Sequence, residues 1–317
     1  MEYKVLGSTD IKPSVLSFGA SPLGDEFRKT TAEERQRAVD LAIDQGINYF
    51  DTSPYYGRTL SETRLGECLK GKRHQVYVAT KCGRYDVDRF DFSAARIMKS
   101  IDESLQRLQT DYVDLLQAHD IEFGDLNQII EETVPALLKI KESGKARYIG
   151  VTGLPLKVLR KVGEVHPIDT ILSYCRYNLM ITDMDELLTP LCQQKGIGLI
   201  NASPLHMRIL TETGAPEWHP APDSVKQAGK KVVALCQQRG YDPAAVALRF
   251  CLDHPYVSTT LVGMSRPDHV ERNIKGLNTK VDPELYAEIE KIVAPVKNIT
   301  WKSGRPENND YEEHRRP

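Results

Sequence analysis

Residues 47–53, INYFDTS, decide the fold: a short apolar and aromatic run ends on polar residues directly before Pro54. Such a run is typical of a strand that is buried along its length. Outward from it, seven more runs of this kind alternate with stretches of helical period. The predicted strands are VLSFGA (15–20), INYFDTS (47–53), QVYVATK (75–81), YVDLLQAH (112–119), ARYIGVTG (146–153), TILSYCR (170–176), IGLINAS (197–203) and STTLVGM (258–264).

Between these runs lie amphipathic stretches in which apolar residues recur at helical spacing. Clear examples are residues 31–46, 93–108, 126–144 and 184–196. Strands that alternate with helices form parallel βαβ units, and eight such strands close a barrel without an exposed edge. The sequence therefore predicts an α/β fold, a (β/α)8 TIM barrel in a single domain over residues 1–303.

Three segments stand outside this alternation. Residues 2–16 carry turn residues and predict an N-terminal β-hairpin that plugs the barrel floor. Residues 204–223 form a long proline-rich stretch after the seventh strand, which we expect to fold over a ligand. After a C-terminal helix, residues 304–317 are polar throughout and predict a loose C-terminal tail.

Charge and composition exclude several classes of protein. The 317 residues include 42 Lys and Arg against 44 Asp and Glu, a net charge of −2, without a long run of one sign. We therefore expect no nucleic-acid partner and no membrane anchor. No apolar stretch approaches the roughly 20 residues that span a bilayer, and the first residues lack the apolar core of a signal peptide. A cytoplasmic protein is expected.

Motif searches exclude further kinds of site. The six cysteines stand singly, without a CxxC or a paired histidine spacing, which favours reduced thiols and no metal site. Residues 66–72 match GxxxxGK, but Arg73 follows where a phosphate loop needs Ser or Thr. Gly196 and Gly198 lack the third glycine of a dinucleotide fingerprint and precede a strand. The sequence therefore contains no nucleotide-binding loop of either kind.

Polar residues at predicted strand ends form a pattern with catalytic potential. Asp51 ends the second run and Tyr56 follows it, while Lys81 ends the third run and His119 the fourth. In a barrel the carboxyl ends of all strands meet on one face, so these four side chains are expected to surround one ligand atom. Taken singly, each residue also has an ordinary structural interpretation. Asp51 could cap a turn and Tyr56 could pack at the rim of the barrel. Lys81 could be a solvated strand end, and His119 could be a hydrogen-bonded histidine of the core. Their joint occurrence favours catalysis.

The strings that contain these residues carry a resemblance. FDTSPYYG (50–57), VATKCG (78–83) and LLQAHD (115–120) resemble the aldo-keto reductase superfamily and its Asp-Tyr-Lys-His tetrad. Loop sequences are similar, more narrowly, to the members of that superfamily that oxidise L-galactose. Those loops are GASPLG (19–24), SPYYGRTLSE (53–62), HDIEFG (119–124), GVTGLPL (150–156), GAPEWHPA (214–221) and PVKNITWKSG (295–304).

The resemblance implies hydride transfer between a nicotinamide and carbon 1 of a free aldose. The expected reaction is NAD-dependent oxidation of L-galactose to L-galactono-1,4-lactone, a step of carbohydrate metabolism that belongs to ascorbate biosynthesis. Tyr56 is the expected general base, and a neighbouring Lys81 would lower its pKa from about 10. Asp51 would hold the ammonium in place, and His119 would orient the substrate oxygen.

Other functions remain open at this point. L-fucose or another aldose is an alternative substrate, and a general aldo-keto reductase would instead reduce aldehydes. A barrel aldolase would use Lys81 for a Schiff base. A nucleotide-bound regulatory subunit is the alternative without catalysis. We expect a small sugar as the binding partner and a monomer or weak homo-oligomer.

The resemblance also implies where a nucleotide binds. NAD is expected rather than NADP, because Gly263 and His269 stand where NADP-specific relatives carry a Lys and an Arg for the 2′-phosphate. Arg266 and Arg272 are the residues that could overturn this preference. The expected cofactor-binding residues are Gly19, Ala20, Asp51, Thr152, Tyr174, Ser203, Leu205, Gly263, Met264, Ser265, His269 and Asn273.

Within that site, Tyr174 is expected to stack under the nicotinamide. Gly153 stands where the family usually has Asn to hold the carboxamide. The expected substrate-binding residues combine aromatic faces with hydroxyl-binding groups, as a sugar pocket requires. They are Tyr55, Tyr56, Arg84, Tyr85, His119, Asp120, Phe123 and Trp218.

Overall fold

The computed structural model describes residues 1–26 and 28–310. Within them, eight parallel strands pair in chain order, and the last pairs with the first to close a barrel. The strands are β1 (Leu16–Gly19), β2 (Tyr49–Asp51), β3 (Tyr77–Cys82), β4 (Val113–Ala118), β5 (Ala146–Gly153), β6 (Thr170–Tyr174), β7 (Gly198–Ala202) and β8 (Thr259–Gly263). Each overlaps one of the predicted runs, and the predicted (β/α)8 barrel is confirmed.

Helices connect consecutive strands around the outside of the barrel. They are α1 (Ala32–Asp44), α2 (Leu60–Cys68), α3 (Ala94–Leu108), α4 (Leu126–Gln128), α5 (Val134–Glu142), α6 (Leu156–Val165), α7 (Met184–Leu187), α8 (Thr189–Lys195), α9 (Asp223–Gln238), α10 (Pro243–Leu252), α11 (Pro267–Leu277) and α12 (Pro283–Val293). A π-helical turn, Ile129–Thr133, joins α4 to α5. Four strands are each followed by two helices: α4 and α5 follow β4, α7 and α8 follow β6, α9 and α10 follow β7, and α11 and α12 follow β8.

The first helix shows how local sequence sets these boundaries. The hydroxyl of Thr31 accepts from the backbone N–H of Glu34, and the Glu34 carboxylate accepts from the N–H of Thr31. This reciprocal pair satisfies two N–H groups that the first helical turn leaves without partners. Gly46, with φ of 85°, then turns the chain out of the helix toward β2. The predicted helix at 31–46 therefore begins and ends on its own sequence signals.

Alternate residues of the strands fill the barrel interior. Tyr49, Ala79 and Leu115 are completely buried there, each two residues before a polar residue on the same strand. Leu6 and Ile11 pack against this layer from below. The interior is therefore apolar at the floor and becomes polar toward the carboxyl ends of the strands.

The N-terminal segment closes that floor as a hairpin. Backbone N–H groups of Lys4 and Leu6 donate to the carbonyls of Pro13 and Ile11, at 3.2 and 2.9 Å. Gly7 passes so close to the start of β7 that a Cβ on it would lie 2.3 Å from the backbone nitrogen of Gly198. The hairpin therefore plugs the end of the barrel opposite to the polar side chains.

The expected loose tail is wrong for residues 304–310, which pack against the barrel. Asn308 is buried, and its amide donates to the carbonyls of Glu122 and Gly124 at 2.8 and 2.9 Å. Asp310 pairs with the buried guanidinium of Arg176 at 2.6 Å and accepts from the first two amides of α6. Because these partners are remote in sequence, the composition of the tail alone did not reveal them. Residues 311–317 lie outside the described residues.

Two further observations concern the helices and the cysteines. Within residues 1–26 and 28–310, no helix combines the length and the apolar character that a bilayer crossing requires. All six cysteines are buried as free thiols.

Candidate active site

Three polar side chains point into the barrel above its apolar floor. Asp51, Lys81 and Gln117 each follow an interior residue of their strand by two positions, and strand side chains alternate between faces. The ammonium of Lys81 donates to the Asp51 carboxylate and, at 2.8 Å, to the carbonyl of Thr52. The side-chain amide of Gln117 lies 3.4 Å from the second Asp51 oxygen. A buried, hydrogen-bonded ion pair therefore forms the base of the site.

Burial dominates the electrostatics of this pair. It raises the pKa of Asp51, and the charge and hydrogen bond of Lys81 offset only part of that rise. Lys81 is 1% exposed, so its charge is compensated by its neighbours and little by water. The pair is thus held together by the cost of leaving either partner alone in the interior.

Tyr56 lies in the loop between β2 and α2, whose position is set by close backbone contact. A Cβ on Gly57 would lie 2.2 Å from the carbonyl oxygen of Gly24, so the two segments touch only because glycine occupies this position. The centre of the Tyr56 ring lies 4.8 Å from the Lys81 ammonium and 5.5 Å from the centre of the His119 ring. The four predicted tetrad residues are therefore brought together.

The acidity of Tyr56 differs from the expectation. Burial of the phenol, and then the negative charges of Asp51 and Asp120, raise its pKa well above 10. The expected lowering by Lys81 is wrong for this structure, because the Lys81 ammonium is already paired with Asp51. The chain by itself keeps the phenol protonated at neutral pH.

His119 is a buried, neutral imidazole. Its Nδ1 lies 3.0 Å from the hydroxyl of Ser53, which itself accepts from the backbone N–H of Tyr55 at 3.1 Å. Burial, and then the positive charges of Lys81 and Arg84, lower the pKa of His119 well below 6.5. If Ser53 donates to Nδ1, the proton of the imidazole resides on Nε2, on the side away from Ser53.

A second charged group lies beside the tetrad. The guanidinium of Arg84 pairs with Asp120 and packs on the ring of Tyr55 at 3.8 Å. The stacked rings of Phe90 and Phe123 flank the same guanidinium at 5.3 and 5.2 Å. Three aromatic faces and a fixed ion pair thus form a wall next to His119. This wall contains four of the predicted substrate-binding residues: Tyr55, Arg84, Asp120 and Phe123.

Two other predicted substrate residues are placed elsewhere. Tyr85 is nearly buried, its hydroxyl accepts from Gly83, and its ring packs under the guanidinium of Arg96. Trp218 is 59% exposed, and its indole stacks on His219 in the loop after β7. The structure therefore gives both residues partners outside the tetrad.

The start of α11 has the donors that a phosphate needs. The helix has no side-chain cap, and its N-cap residue, Arg266, donates to Asp268 at 2.7 Å and to Nε2 of His269 at 3.1 Å. The Nε of Arg266 and the Nδ1 of His269 are buried without a hydrogen-bond partner in the described residues. An anion at this helix N-terminus would satisfy such groups. The residues present therefore fit a nucleotide phosphate.

Further predicted cofactor residues lie at the ends of β1 and β8 or on α11. Gly19 ends β1 beside the exposed end of β8, and Ala20 donates its N–H to the backbone carbonyl of Asp51. Asn273 is half-buried on α11, and Ser265 is buried just before it. The side chain of Met264 is completely buried in the hydrophobic core, so a cofactor contact at this position would be made by the backbone.

Four more predicted cofactor residues end β5 and β6 or follow β7. The hydroxyl of Thr152 is buried and accepts from the N–H of Asp120 at 3.0 Å, so it anchors that loop. Tyr174 ends β6 and is half-buried. Ser203, with φ of 61°, opens the loop after β7, and Leu205 packs partly against the core under α9. Of these four, Tyr174 has an aromatic face at the carboxyl end of the barrel.

Two residues of the site, Gln117 and Ser53, and one residue next to it, Glu122, were not predicted from the sequence. Gln117 could have been found, because it lies two positions after an interior residue of β4. Ser53 and Glu122 gave no local signal, since each is defined by partners from other loops.

No cluster of three or more His, Cys, Asp or Glu side chains in the described part of the chain is arranged to hold a metal ion.

Comparisons with known proteins agree with this geometry. The model of the aldo/keto reductase family matches residues 15–294. The chain is 49% identical to L-galactose dehydrogenase of Arabidopsis thaliana, over 97% of this chain and 99% of that protein. It is 30% identical to D-threo-aldose 1-dehydrogenase of a Pseudomonas species, over 86% of this chain and 92% of that protein.

A solved structure shows the same architecture. The holo form of an aldo-keto reductase from Bacillus halodurans superposes with a TM-score of 0.79 at 28% identity, over 95% of this chain and 98% of that one. With a family match over nearly the whole barrel and the four tetrad residues at its mouth, the chain belongs to the aldo/keto reductase family.

Proposed function

We propose that the protein is an NAD-dependent aldose 1-dehydrogenase that oxidises L-galactose at carbon 1 to the lactone. One observation carries the chemistry: the centre of the Tyr56 ring lies 4.8 Å from the Lys81 ammonium and 5.5 Å from the centre of the His119 ring. The 49% identity to L-galactose dehydrogenase of Arabidopsis thaliana, over 97% of this chain, supports L-galactose as the substrate.

In the proposed reaction Tyr56 accepts the proton of the carbon 1 hydroxyl as carbon 1 loses a hydride. A bound oxidised nicotinamide supplies the hydride acceptor and a positive ring charge. That charge would favour the phenolate of Tyr56, whose pKa is otherwise raised by burial and carboxylates. Neutral His119 donates from Nε2 to the substrate oxygen and fixes its position.

The same geometry argues against an aldolase. A Schiff base requires a neutral amine, and Lys81 is instead held by the Asp51 carboxylate and the Thr52 carbonyl as an ion-paired donor. Freeing its lone pair would leave the Asp51 charge buried without a partner.

Sugar hydroxyls are recognised, in this proposal, by the Arg84–Asp120 pair. The guanidinium and the carboxylate present donors and acceptors side by side, and vicinal hydroxyls can satisfy both. The ring of Tyr55 offers an apolar face beside them. Burial of Asp120 raises its pKa, which Arg84 offsets in part, so Arg84 is needed to keep the carboxylate charged.

The residues at the start of α11 support the proposed preference for NAD over NADP. Gly263 offers no side chain, burial lowers the pKa of His269 so that it is uncharged at neutral pH, and Arg266 is already paired with Asp268. The 2′-phosphate of NADP would meet the Asp268 carboxylate, while Arg28 and Arg272, whose charges also reach His269, are the cations that could offset it. NAD carries no such phosphate.

The test is an initial-rate assay of reduced nucleotide at 340 nm. L-galactose, L-fucose, D-arabinose and D-galactose are compared, each with NAD and with NADP. We expect the highest kcat/KM for L-galactose with NAD. Equal or higher kcat/KM with NADP would refute the cofactor preference, and no nucleotide reduction with any aldose would refute the activity.

A further inference from the structure

We propose that Glu122 is a positioning residue that joins Tyr174 and the C-terminal segment, residues 303–310, into one hydrogen-bonded unit at the rim of the site. The inference rests on the proposed function in one respect, the stacking of Tyr174 on a nicotinamide. The unit itself is defined by contacts in the chain. Glu122 does not touch the tetrad, so it acts through Tyr174.

One oxygen of the Glu122 carboxyl group accepts hydrogen bonds from three different segments of the chain. Its Oε1 accepts from the hydroxyl of Ser303 at 2.9 Å, the backbone N–H of Leu154 at 3.2 Å and the hydroxyl of Tyr174 at 3.4 Å. These donors come from the C-terminal segment, the loop after β5 and the end of β6. The backbone carbonyl of Glu122 adds two more contacts to the segment, from Arg305 and Asn308 at 2.9 and 2.8 Å.

The second oxygen, Oε2, is buried and has no hydrogen-bond partner in the described residues. It lies against the end of β5, where an ideal Cβ on Gly153 would approach it to 2.6 Å. A neutral carboxylic acid fits this arrangement better than a carboxylate, because a carboxylate would leave a charged oxygen buried without a donor.

Neighbouring charges give the same conclusion. Glu122 is completely buried and makes no ion pair with any described residue, and three arginines of the neighbouring segments are held in pairs of their own. Those pairs are Arg84 with Asp120, Arg176 with Asp183 and Asp310, and Arg305 with Asp125 and Glu307. Burial, and then the charge of Asp120, raise the pKa of Glu122 to about 8. Tyr174 is the other titratable group that faces it, and burial keeps this phenol protonated.

Ionisation of Glu122 would therefore disrupt the unit. A buried charge without a cation is costly, and it is relieved when the C-terminal segment moves aside and admits water. Tyr174 then loses the partner of its hydroxyl. Because only the neutral form positions Tyr174, nucleotide affinity should fall as pH rises through the pKa of Glu122.

The experiment measures the Kd of NAD by quenching of intrinsic fluorescence between pH 6.5 and 9.5. For the wild type we expect Kd to rise about tenfold from pH 7 to pH 9, since the binding-competent fraction falls in proportion to the neutral form. Glu122→Gln mimics the neutral acid and should keep the pH 7 affinity throughout. Glu132→Gln, which removes an exposed carboxylate, is the matched control and should keep the wild-type slope.

A second readout needs no nucleotide. Hydrogen exchange of the Arg305 amide, which donates to Glu122, is compared at pH 6.5 and 9 after correction for intrinsic rates. Protection should fall at pH 9 in the wild type and persist in Glu122→Gln. Gly153→Ala, whose Cβ displaces Oε2, should reduce protection at both pH values.

The two readouts separate this inference from the proposed function. A Glu122→Gln protein with the wild-type pH slope in Kd, or Arg305 protection that is the same at both pH values in the wild type, would overturn the inference. A wild type that shows the exchange pattern but binds no NAD would leave the unit intact and contradict the proposed function instead.

Discussion

The ammonium of Lys81 lies 4.8 Å from the centre of the Tyr56 ring. Its hydrogen bonds are nevertheless directed to Asp51 and to the carbonyl of Thr52. Proximity of the amine is therefore not sufficient to acidify the phenol, because the paired carboxylate cancels much of the amine's field. The Asp51–Lys81 pair therefore affects the stability of the fold as well as the electrostatic potential at Tyr56.

Removing one partner of that pair should destabilise the protein. In Lys81→Met the Asp51 carboxylate is buried alone, which typically costs about 3–5 kcal/mol in free energy of unfolding. Asp51→Asn combined with Lys81→Met removes both charges and should recover most of that loss. Urea denaturation followed by circular dichroism measures the difference. Equal stability of the single and the double variants would contradict a tightly coupled pair.

His119 should remain neutral across the physiological pH range. Its pKa lies well below 6.5 because of burial and of the charges of Lys81 and Arg84. In the unfolded chain the imidazole takes up a proton near pH 6.5, so its contribution to stability is present above that pH and lost as pH falls below it. Proton NMR should show an unchanged His119 signal between pH 8 and 6. A titration midpoint inside that range would be inconsistent with a neutral donor.

Arg84→Ala should weaken sugar binding. Loss of the charged donor removes hydrogen bonds worth about 1.5–3 kcal/mol each, so we expect KM for the sugar to rise roughly 10- to 100-fold. The Kd of NAD should be unaffected. Arg96→Ala is the matched control, since Arg96 packs on Tyr85 and not on Tyr55. A similar rise in KM for both variants would argue against a specific role of Arg84.

Asp268→Asn should relax the choice of nucleotide. Without the carboxylate, Arg266 is free to pair with a 2′-phosphate, and one such charge-assisted bond corresponds to about tenfold or more in affinity. The ratio of kcat/KM for NADP to that for NAD should rise by this factor. An unchanged ratio would show that Asp268 does not set the preference.

The strands could be predicted because each carries its own signal, a short apolar run that ends on polar residues. Tyr56, Lys81 and His119 could be predicted from their places at strand ends, which the barrel gathers on one face. The docked segment at residues 304–310 could not, because Asp310 gains its partners only after Arg176 and the start of α6 are in place.

The direction of the Tyr56 pKa shift could not be predicted from the sequence either. The sequence places a cation beside the phenol, but the direction of the shift depends on burial and on the negative charges of Asp51, Asp120 and Glu26. The contacts of Tyr85 could not be predicted from the sequence either. It was predicted to bind substrate, whereas in the structure Tyr85 lies in the loop after β3 with its ring packed under the guanidinium of Arg96.

The central claim is hydride transfer from carbon 1 of an aldose with Tyr56 as the proton acceptor. Its most direct test is turnover of L-galactose deuterated at carbon 1, with NMR of the reduced NAD, in the wild type and in Tyr56→Phe. We expect deuterium at carbon 4 of the nicotinamide in the wild type. For Tyr56→Phe we expect kcat to fall by about 10²–10⁴, the usual effect of losing a general base, at an unchanged Kd for NAD. Reduced NAD without deuterium, or full turnover by Tyr56→Phe, would contradict the account.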